Sequence, residues 1–98
     1  SKKIEMNTTT NTIADGLRTN LGNNNFPIIL HHVTKIIRVT EKEIIVAMKF
    51  VWERMKIIIE PSSAVAVAAV LKDKKLFKNK KVAVIISGGN VDLENLPF

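Results

Sequence analysis

Residues 82–86 form an uninterrupted apolar run that is rich in β-branched side chains. The run is too short for a helix and lacks the alternation of a half-exposed strand, so it predicts a buried β-strand. Ser87 ends the run, and Gly88 and Gly89 then allow a sharp turn or a close approach to a ligand. Because open α/β sheets bind ligands at the carboxyl ends of their strands, Ser87 is the first candidate binding residue.

The clearest helix signal begins at Thr40. Thr40 and Glu43 have the spacing of a capping box, and Glu41 and Glu43 place negative charge at the positive end of the predicted helix. The apolar positions that follow recur with helical spacing and are Ile44, Met48, Val51, Trp52 and Met55. This single apolar face predicts that both methionines and the tryptophan belong to the core.

Proline marks the start of a second helix. Pro61 follows Glu60 and suits a first helical position, and the Ala- and Val-rich segment after it predicts a buried helix that runs to about Leu76. Residues 1–11 are polar and are predicted to form a loop or arm. The remaining predictions are a turn at 12–16, a helix at 27–35, a short strand at 36–40 and the start of a terminal helix at 91–96.

The predicted strands lie on either side of the two main helices, which gives the order β-α-α-β. Buried strands and helices in this order are typical of an α/β layered domain. Two strands do not make a stable parallel sheet by themselves. The chain is therefore expected to be one part of a larger sheet.

Composition limits the class of protein. The chain has 98 residues, 46% hydrophobic content and no cysteine, which allows one small domain with a core but excludes disulfides and thiolate metal sites. No apolar run approaches the roughly 20 residues of a membrane span, and the polar N-terminus does not resemble a signal peptide. These features favour a cytoplasmic protein that does not enter membranes.

Positive charge is concentrated in one segment. The net charge is +6, and six lysines fall within residues 72–81. One interpretation is a phosphate-binding patch for nucleic acid, and the other is a solvated loop between a helix and a strand. Phe77 is the one aromatic residue among these lysines, so the segment lacks the interleaved rings that stack on bases. The patch alone does not predict a nucleic-acid-binding protein.

Four stretches together resemble the C-terminal third of the serine racemase and short threonine/serine dehydratase family, which are fold-type II pyridoxal-phosphate enzymes. They are residues 12–16 (Thr-Ile-Ala-Asp-Gly), 51–56 (Val-Trp-Glu-Arg-Met-Lys), 60–64 (Glu-Pro-Ser-Ser-Ala) and 87–93 (Ser-Gly-Gly-Asn-Val-Asp-Leu). The resemblance covers nearly the whole chain. It implies an α/β fold, in which residues 1–98 are part of the large, cofactor-binding domain of a tryptophan synthase β-like enzyme.

The resemblance assigns cofactor and substrate contacts to particular residues. Ser87 matches the serine that hydrogen-bonds the pyridine nitrogen, and Gly88 belongs to the same motif. Gly16 matches a glycine whose backbone lies beside the cofactor ring, and Glu60 matches an acidic residue near that ring. Thr19 occupies the position of a hydroxyl residue that helps to hold the substrate carboxylate. A hydroxyl need not keep the ring nitrogen protonated, which gives a weaker electron sink than a carboxylate would.

Activators and missing parts are also implied by the resemblance. Lys56 and Asn90 match two positions that contact ATP at a subunit interface, and Asn24 is a candidate contact for a peripheral divalent cation, Mg²⁺ or Ca²⁺. Ser63 departs from the Gly or Ala that is usual in the family, which is expected to alter helix packing or the pocket floor. The cofactor lysine, the phosphate-binding glycine loop and the acidic metal site of the family match nothing in this chain, so no catalytic residue is assigned here.

Three hypotheses follow. The leading one is a segment of a homodimeric pyridoxal-phosphate enzyme that racemises serine and dehydrates serine or threonine, with a dedicated threonine or 3-hydroxyaspartate dehydratase as the alternative. The second is a basic nucleic-acid-binding module that uses the lysines of residues 72–81. The third is a non-catalytic interaction module whose exposed apolar surface promotes association.

Overall fold

The computed structural model describes residues 3, 5, 9 and 11–98, so most of the predicted N-terminal arm lies outside the described residues. The elements of these described residues are a 3₁₀ turn at Asp15–Leu17 and four helices: α1 (Phe26–His32), α2 (Glu41–Met55), α3 (Pro61–Lys72) and α4 (Lys74–Phe77). Within the described part of the chain no helix is long and apolar enough to cross a membrane.

Helix α2 begins at the predicted capping box. The Thr40 hydroxyl accepts a hydrogen bond from the Glu43 N–H at 3.2 Å, and the Glu43 carboxylate accepts one from the Thr40 N–H at 2.9 Å. The bond from the Thr40 backbone lowers the pKa of Glu43 below its ordinary value, because it stabilises the charged carboxylate. The pKa of Glu41 is also lowered, chiefly by the Ile13 N–H that donates to it at 2.9 Å. The N-terminal segment is thereby attached to the start of α2.

The core lies between α2 and α3. Helix α2 contributes the buried side chains of Ile44, Ala47, Met48 and Val51, and α3 contributes Ser63, Ala64 and Ala68. Small side chains on α3 let the two helices approach closely, and the larger side chains of α2 fill the space between them. Two residues from loops complete the core: Ala14, just before the 3₁₀ turn, and Ile59, in the loop before α3.

The predicted apolar face of α2 is correct in its first three turns and wrong at its end. Met48 is fully buried, whereas Met55 is 55% exposed. Trp52 is half-buried, donates its indole N–H to the Ile59 carbonyl at 2.9 Å and packs edge-on against Phe98. Met55 is the last residue of the helix, and Lys56 follows in the left-handed conformation with φ of 59°. Helical periodicity predicts which face of α2 a side chain lies on. It does not show how far along that face the segment packed against it extends.

Helix α3 begins at Pro61 as predicted, with Glu60 as the N-cap residue. It ends at Lys72, and α4 continues after an interruption at Asp73, so the helical prediction to about Leu76 is confirmed with one break. The Lys35 ammonium donates to the Asp73 carboxylate at 2.9 Å and lowers the pKa of Asp73. Lys72 donates to the Arg38 carbonyl at 2.7 Å and to Glu43. These contacts hold residues 35–40 against the C-terminal end of α3.

The two predicted strands are absent from the described residues. Residues 82–86 are not buried, and Ile85 is 82% exposed. Residues 36–40 likewise form no strand, and neither segment has a backbone ladder in the described part of the chain. A strand requires a partner at hydrogen-bonding distance, and apolar composition alone does not supply one. The order β-α-α-β is therefore replaced by a helical segment with extended connections.

The two outer helix predictions are partly wrong. Helix α1 ends at His32, three residues before the predicted limit, because Val33 has an extended backbone. Residues 91–96 form a turn instead of a helix. The Asp92 carboxylate accepts the Glu94 N–H at 3.0 Å and the Asn95 side-chain amide at 2.8 Å. This local bonding competes with helix formation, as is usual for aspartate.

The two methionines of α2 provide a matched test of this packing. We expect Met48→Ala to lower the free energy of unfolding by about 2–5 kcal/mol, because it leaves a cavity between α2 and α3. Met55→Ala is expected to change it by less than about 1 kcal/mol, since the side chain is largely exposed. Urea unfolding followed by circular dichroism measures both values. Equal losses from the two variants would contradict the assigned core.

Candidate cofactor and substrate site

The first turn of α3 brings two distant loops together. The Ser62 hydroxyl accepts a hydrogen bond from the Gly16 N–H at 2.9 Å, across 46 residues of sequence. The adjacent Ser63 hydroxyl accepts one from the Ser87 N–H at 3.0 Å, across 24 residues. Two consecutive hydroxyls therefore hold the 3₁₀ turn and the loop that follows residues 82–86.

Glu60 holds the second loop at two further points. Its N–H donates to the Gly88 carbonyl at 3.1 Å, and its carboxylate accepts the Asn90 N–H at 2.9 Å. No side chain caps α3, so the N-cap residue uses its carboxylate to bind this loop instead of its own helix. We call Glu60, Ser62 and Ser63 the α3 clamp. The clamp brings together all four residues for which a cofactor contact is predicted, namely Gly16, Glu60, Ser87 and Gly88.

Close packing leaves little room for side chains at the glycines of the site, and the tightest position is Gly89, where the neighbour is backbone. A Cβ atom on Gly89 would lie 2.5 Å from the Ile58 carbonyl oxygen, and one on Gly88 would lie 2.9 Å from the Glu60 carboxylate. A Cβ atom on Gly16 would lie 3.0 Å from the Ser62 hydroxyl. The protein itself thus occupies the space that side chains would need, and the predicted contact of Gly16 with a cofactor ring involves its backbone.

Ser87 has the chemistry that the ring nitrogen of a pyridine requires. The residue is exposed, its N–H is bound to Ser63, and its hydroxyl has no hydrogen-bond partner among the described residues. A neutral hydroxyl donates a hydrogen bond to a pyridine nitrogen without bringing a charge. The Glu60 carboxylate accepts the Asn90 N–H, and an ionised carboxylate has no hydrogen to donate to a pyridine nitrogen. The residues present fit the pyridine end of the predicted cofactor.

Four other predicted residues lie outside the clamp contacts or at their edge. Thr19 is exposed, two residues after the 3₁₀ turn, and Asn24 is exposed in the turn before α1. Lys56 is exposed at the end of α2. Asn90 is bound through its backbone, which leaves its assigned nucleotide contact to the side chain. Among the described residues no group of three His, Asp or Glu side chains is placed to hold a metal ion, so the role of Asn24 stays a prediction.

A cleft of about 240 Å³ lies beside the clamp, and sequence reasoning did not predict it. It is lined by Ile13, Asp15, Met48, Pro61, Asn90, Val91, Asp92, Asn95, Leu96 and Pro97. The side-chain amide of Asn95 and the Glu94 N–H lower the pKa of Asp92, so this wall of the cleft stays negative. Two carboxylates suit hydroxyl and ammonium groups better than phosphate oxygens. The predicted nucleotide residue Asn90 borders the cleft, whereas Ser87 does not.

Ser62 and Ser63 are residues of the candidate site that the sequence motifs did not indicate. Two serines after Pro61 indicate only a helix start, because their acceptor roles depend on loops that are distant in sequence. Ser63, where the resemblance leads us to expect Gly or Ala, is buried and bonded to the loop of Ser87. Its extra hydroxyl therefore acts on the candidate site and not only on helix packing.

The family of the chain follows from comparison with known proteins. A model of the family described as "Pyridoxal-phosphate dependent enzyme" matches residues 1–88. The chain belongs to this family, and its structural neighbours are fold-type II enzymes, as the resemblance implied.

Individual relatives agree with the family assignment. Serine racemase of Dictyostelium discoideum is 60% identical over 90 residues, which is 88% of this chain and 27% of that protein. The beta-hydroxyaspartate dehydratase of Paracoccus denitrificans is 44% identical over 87 residues, which is 89% of this chain and 28% of that protein. The crystal structure of the Dictyostelium discoideum serine racemase matches 93% of this chain and 29% of its own with a TM-score of 0.82 and 57% identity. The chain spans less than a third of the length of these relatives.

Two glycines provide a matched test of the loop geometry. We expect Gly89→Ala to displace the loop of Ser87 and to weaken pyridoxal-phosphate binding by about tenfold or more, because the new Cβ meets a backbone carbonyl that cannot move aside. Gly22→Ala is the control, since nothing lies within 4 Å of its added Cβ. Fluorescence titration of the cofactor measures both. Equal affinities for the two variants would contradict the described packing.

Proposed function

We propose that this chain forms the C-terminal part of the cofactor-binding domain of an enzyme that racemises serine and dehydrates serine or threonine. The identity to proteins named serine racemase supports the substrate class. The observation that carries the proposal is the placement of Ser87, whose backbone is held by the α3 clamp while its hydroxyl has no partner among the described residues.

The residues of this chain would contact the cofactor ring and the substrate carboxylate. Pyridoxal phosphate, when bound, supplies a sink for the electron pair released at the substrate α-carbon. Ser87 would donate its hydroxyl hydrogen to the ring nitrogen and, being neutral, would not hold a proton there. The Gly16 backbone would lie beside the ring, and the bond from its N–H to Ser62 fixes its position. Thr19 helps to hold the substrate carboxylate.

A dedicated dehydratase of 3-hydroxyaspartate or threonine is the second candidate. It is supported by the dehydratase of Paracoccus denitrificans and by the L-threo-3-hydroxyaspartate ammonia-lyase of a Pseudomonas species, which is 43% identical. Both candidates use the same clamp and the same ring contact. The product separates them, because D-serine is expected from L-serine only with the first candidate, whereas dehydration gives pyruvate from serine and 2-oxobutanoate from threonine.

The test varies the group that faces the ring nitrogen in the cofactor-loaded whole enzyme, of which this chain is proposed to form the C-terminal part, because the cofactor lysine of the family matches nothing in this chain. Ser87→Ala is expected to lower kcat by about tenfold or more, through loss of one hydrogen bond to the cofactor. Ser87→Asp is expected to hold a proton on the ring nitrogen and so to change both the cofactor absorption and the ratio of D-serine to pyruvate. Ser87→Thr keeps the hydroxyl and is the control, with an unchanged absorption spectrum.

Chiral chromatography and a pyruvate assay measure the products from L-serine. Absence of both products would overturn the proposed substrate. An absorption spectrum that is the same in the Ala, Asp and Thr variants would overturn the role of Ser87.

The proposal also includes activation of the enzyme by ATP and a divalent cation, Mg²⁺ or Ca²⁺. Lys56 supports it, because a lysine in the left-handed conformation is less favourable than glycine or asparagine and such positions are often kept for function. Its exposed ammonium suits a phosphate group. Asn90 borders the cleft beside the clamp, and the two carboxylates of that cleft suit the hydroxyl groups of a nucleotide and not its phosphates.

Lys56→Asn removes the charge and tolerates the left-handed backbone. We expect the MgATP concentration for half-maximal activation to rise by about tenfold or more, the equivalent of one lost charge-assisted hydrogen bond. Lys49→Gln, which removes an exposed lysine paired with Glu53 on α2, is the control and should respond like the unaltered protein. Steady-state rates at varied MgATP measure the response. A response of Lys56→Asn that equals the control would exclude this contact.

Assembly and location complete the proposal. The resemblance implies a homodimer, and the absence of cysteine from the sequence fits a cytoplasmic setting. The exposed apolar side chains of Ile36 and Ile85, 74% and 82% exposed, support burial against further protein. Sedimentation velocity of the purified protein measures the assembly, and a monomer at all concentrations would contradict it. Microscopy of a fluorescent fusion in intact cells measures the location, and a signal enclosed within organelles would contradict it.

A further inference from the structure

Ser63 is the buried polar residue of the described chain, with 2% of its surface exposed. It lies on α3 between the core and the loop of Ser87, and its hydroxyl accepts the Ser87 N–H at 3.0 Å. A buried hydroxyl is costly unless it is hydrogen-bonded. Here the bond goes to a segment that is otherwise without backbone partners, since residues 82–86 form no backbone hydrogen bond among the described residues.

Two bonds lie on either side of the Ser87 α-carbon. The first joins the Ser87 N–H to Ser63, and the second joins the Gly88 carbonyl to the Glu60 N–H at 3.1 Å. Anchors on both sides restrict the backbone angles of Ser87, which sets the direction of its Cα–Cβ bond and limits the rotamers that are open to its hydroxyl. Ser63 provides the first anchor, and without it the chain would be held only after Ser87.

We propose that Ser63 is a positioning residue, which orients Ser87 toward the pyridine nitrogen of pyridoxal phosphate through the Ser87 N–H. The inference rests on the proposed function, because it assigns a role to the residue that supports the ring contact. Ser63 does not touch the cofactor in this arrangement. Its effect on the reaction passes through the direction of the Ser87 hydroxyl.

The neighbouring serine supplies a matched control. Ser62 makes the corresponding bond to the Gly16 N–H at 2.9 Å, on the same helical turn but to the other loop. Ser62→Ala and Ser63→Ala each delete one hydroxyl of the clamp. If each hydroxyl holds its own loop, the two variants will affect different backbone amides.

The first measurement is hydrogen–deuterium exchange at single-residue resolution on the intact protein. We expect Ser63→Ala to accelerate exchange of the Ser87 amide by about tenfold or more and to leave the Gly16 amide unchanged. Ser62→Ala is expected to do the reverse. Ser63→Cys keeps the size of the side chain with a weaker acceptor, so its Ser87 amide should exchange at an intermediate rate. An unchanged Ser87 amide in Ser63→Ala would overturn the inference.

The second measurement uses the bound cofactor. In Ser63→Ala we expect the absorption spectrum of pyridoxal phosphate and its pH dependence to move toward those of Ser87→Ala, and kcat to fall while KM for L-serine changes by less than about twofold. Ser63→Cys should lie between the unaltered protein and Ser63→Ala. A purely structural role would lower stability without this spectral change.

The outcomes separate this inference from the proposed function. If the unaltered whole enzyme that contains this chain binds no pyridoxal phosphate, the proposed function and the inference both fail. If the protein binds the cofactor and responds to Ser87→Ala but not to Ser63→Ala, the inference alone fails. Faster Ser87 exchange together with the spectral change supports the role of Ser63.

Discussion

The first turn of α3 supports the whole candidate site, because its side chains bind other segments instead of capping their own helix. Pro61 starts the helix at a position where no N–H is needed, and the residues on either side of it are then available for contacts outside the helix. Glu60 and Ser63 hold the loop that begins at Ser87, and Ser62 holds the turn that contains Gly16. The packing of α2 on α3 fixes the direction in which this turn faces.

Two hypotheses account for the exposed apolar surface of residues 82–86. Residues 82–86 lead directly into the loop that the clamp holds. They are nevertheless exposed and have no backbone partners among the described residues. Exposure of this kind is what the interaction-module hypothesis required. Membership of the pyridoxal-phosphate family gives another account, because the chain spans less than a third of the length of its relatives and such a surface is suited to burial in a larger sheet.

The basic segment takes part in the fold as well as in the charge balance. Lys72 binds the Glu43 carboxylate and the Arg38 carbonyl, which connects the end of α3 to the start of α2. Lys35 binds Asp73 at the break between α3 and α4. These exposed ion pairs contribute little to stability individually. Their geometry nevertheless shows that the charges near residue 72 include structural partners, which the count of lysines did not reveal.

The sequence by itself determined the features that depend on neighbours in the chain. The capping box of Thr40 and Glu43, the helix start at Pro61 and the turn at Asp15 and Gly16 all form as predicted, because their bonds join residues a few positions apart. The tertiary structure decided the rest. The exposure of residues 82–86, the exposed Met55 and the role of Ser63 depend on which distant segment lies opposite each side chain. Local patterns carry no information about that partner, and so a run that reads as a buried strand is exposed here.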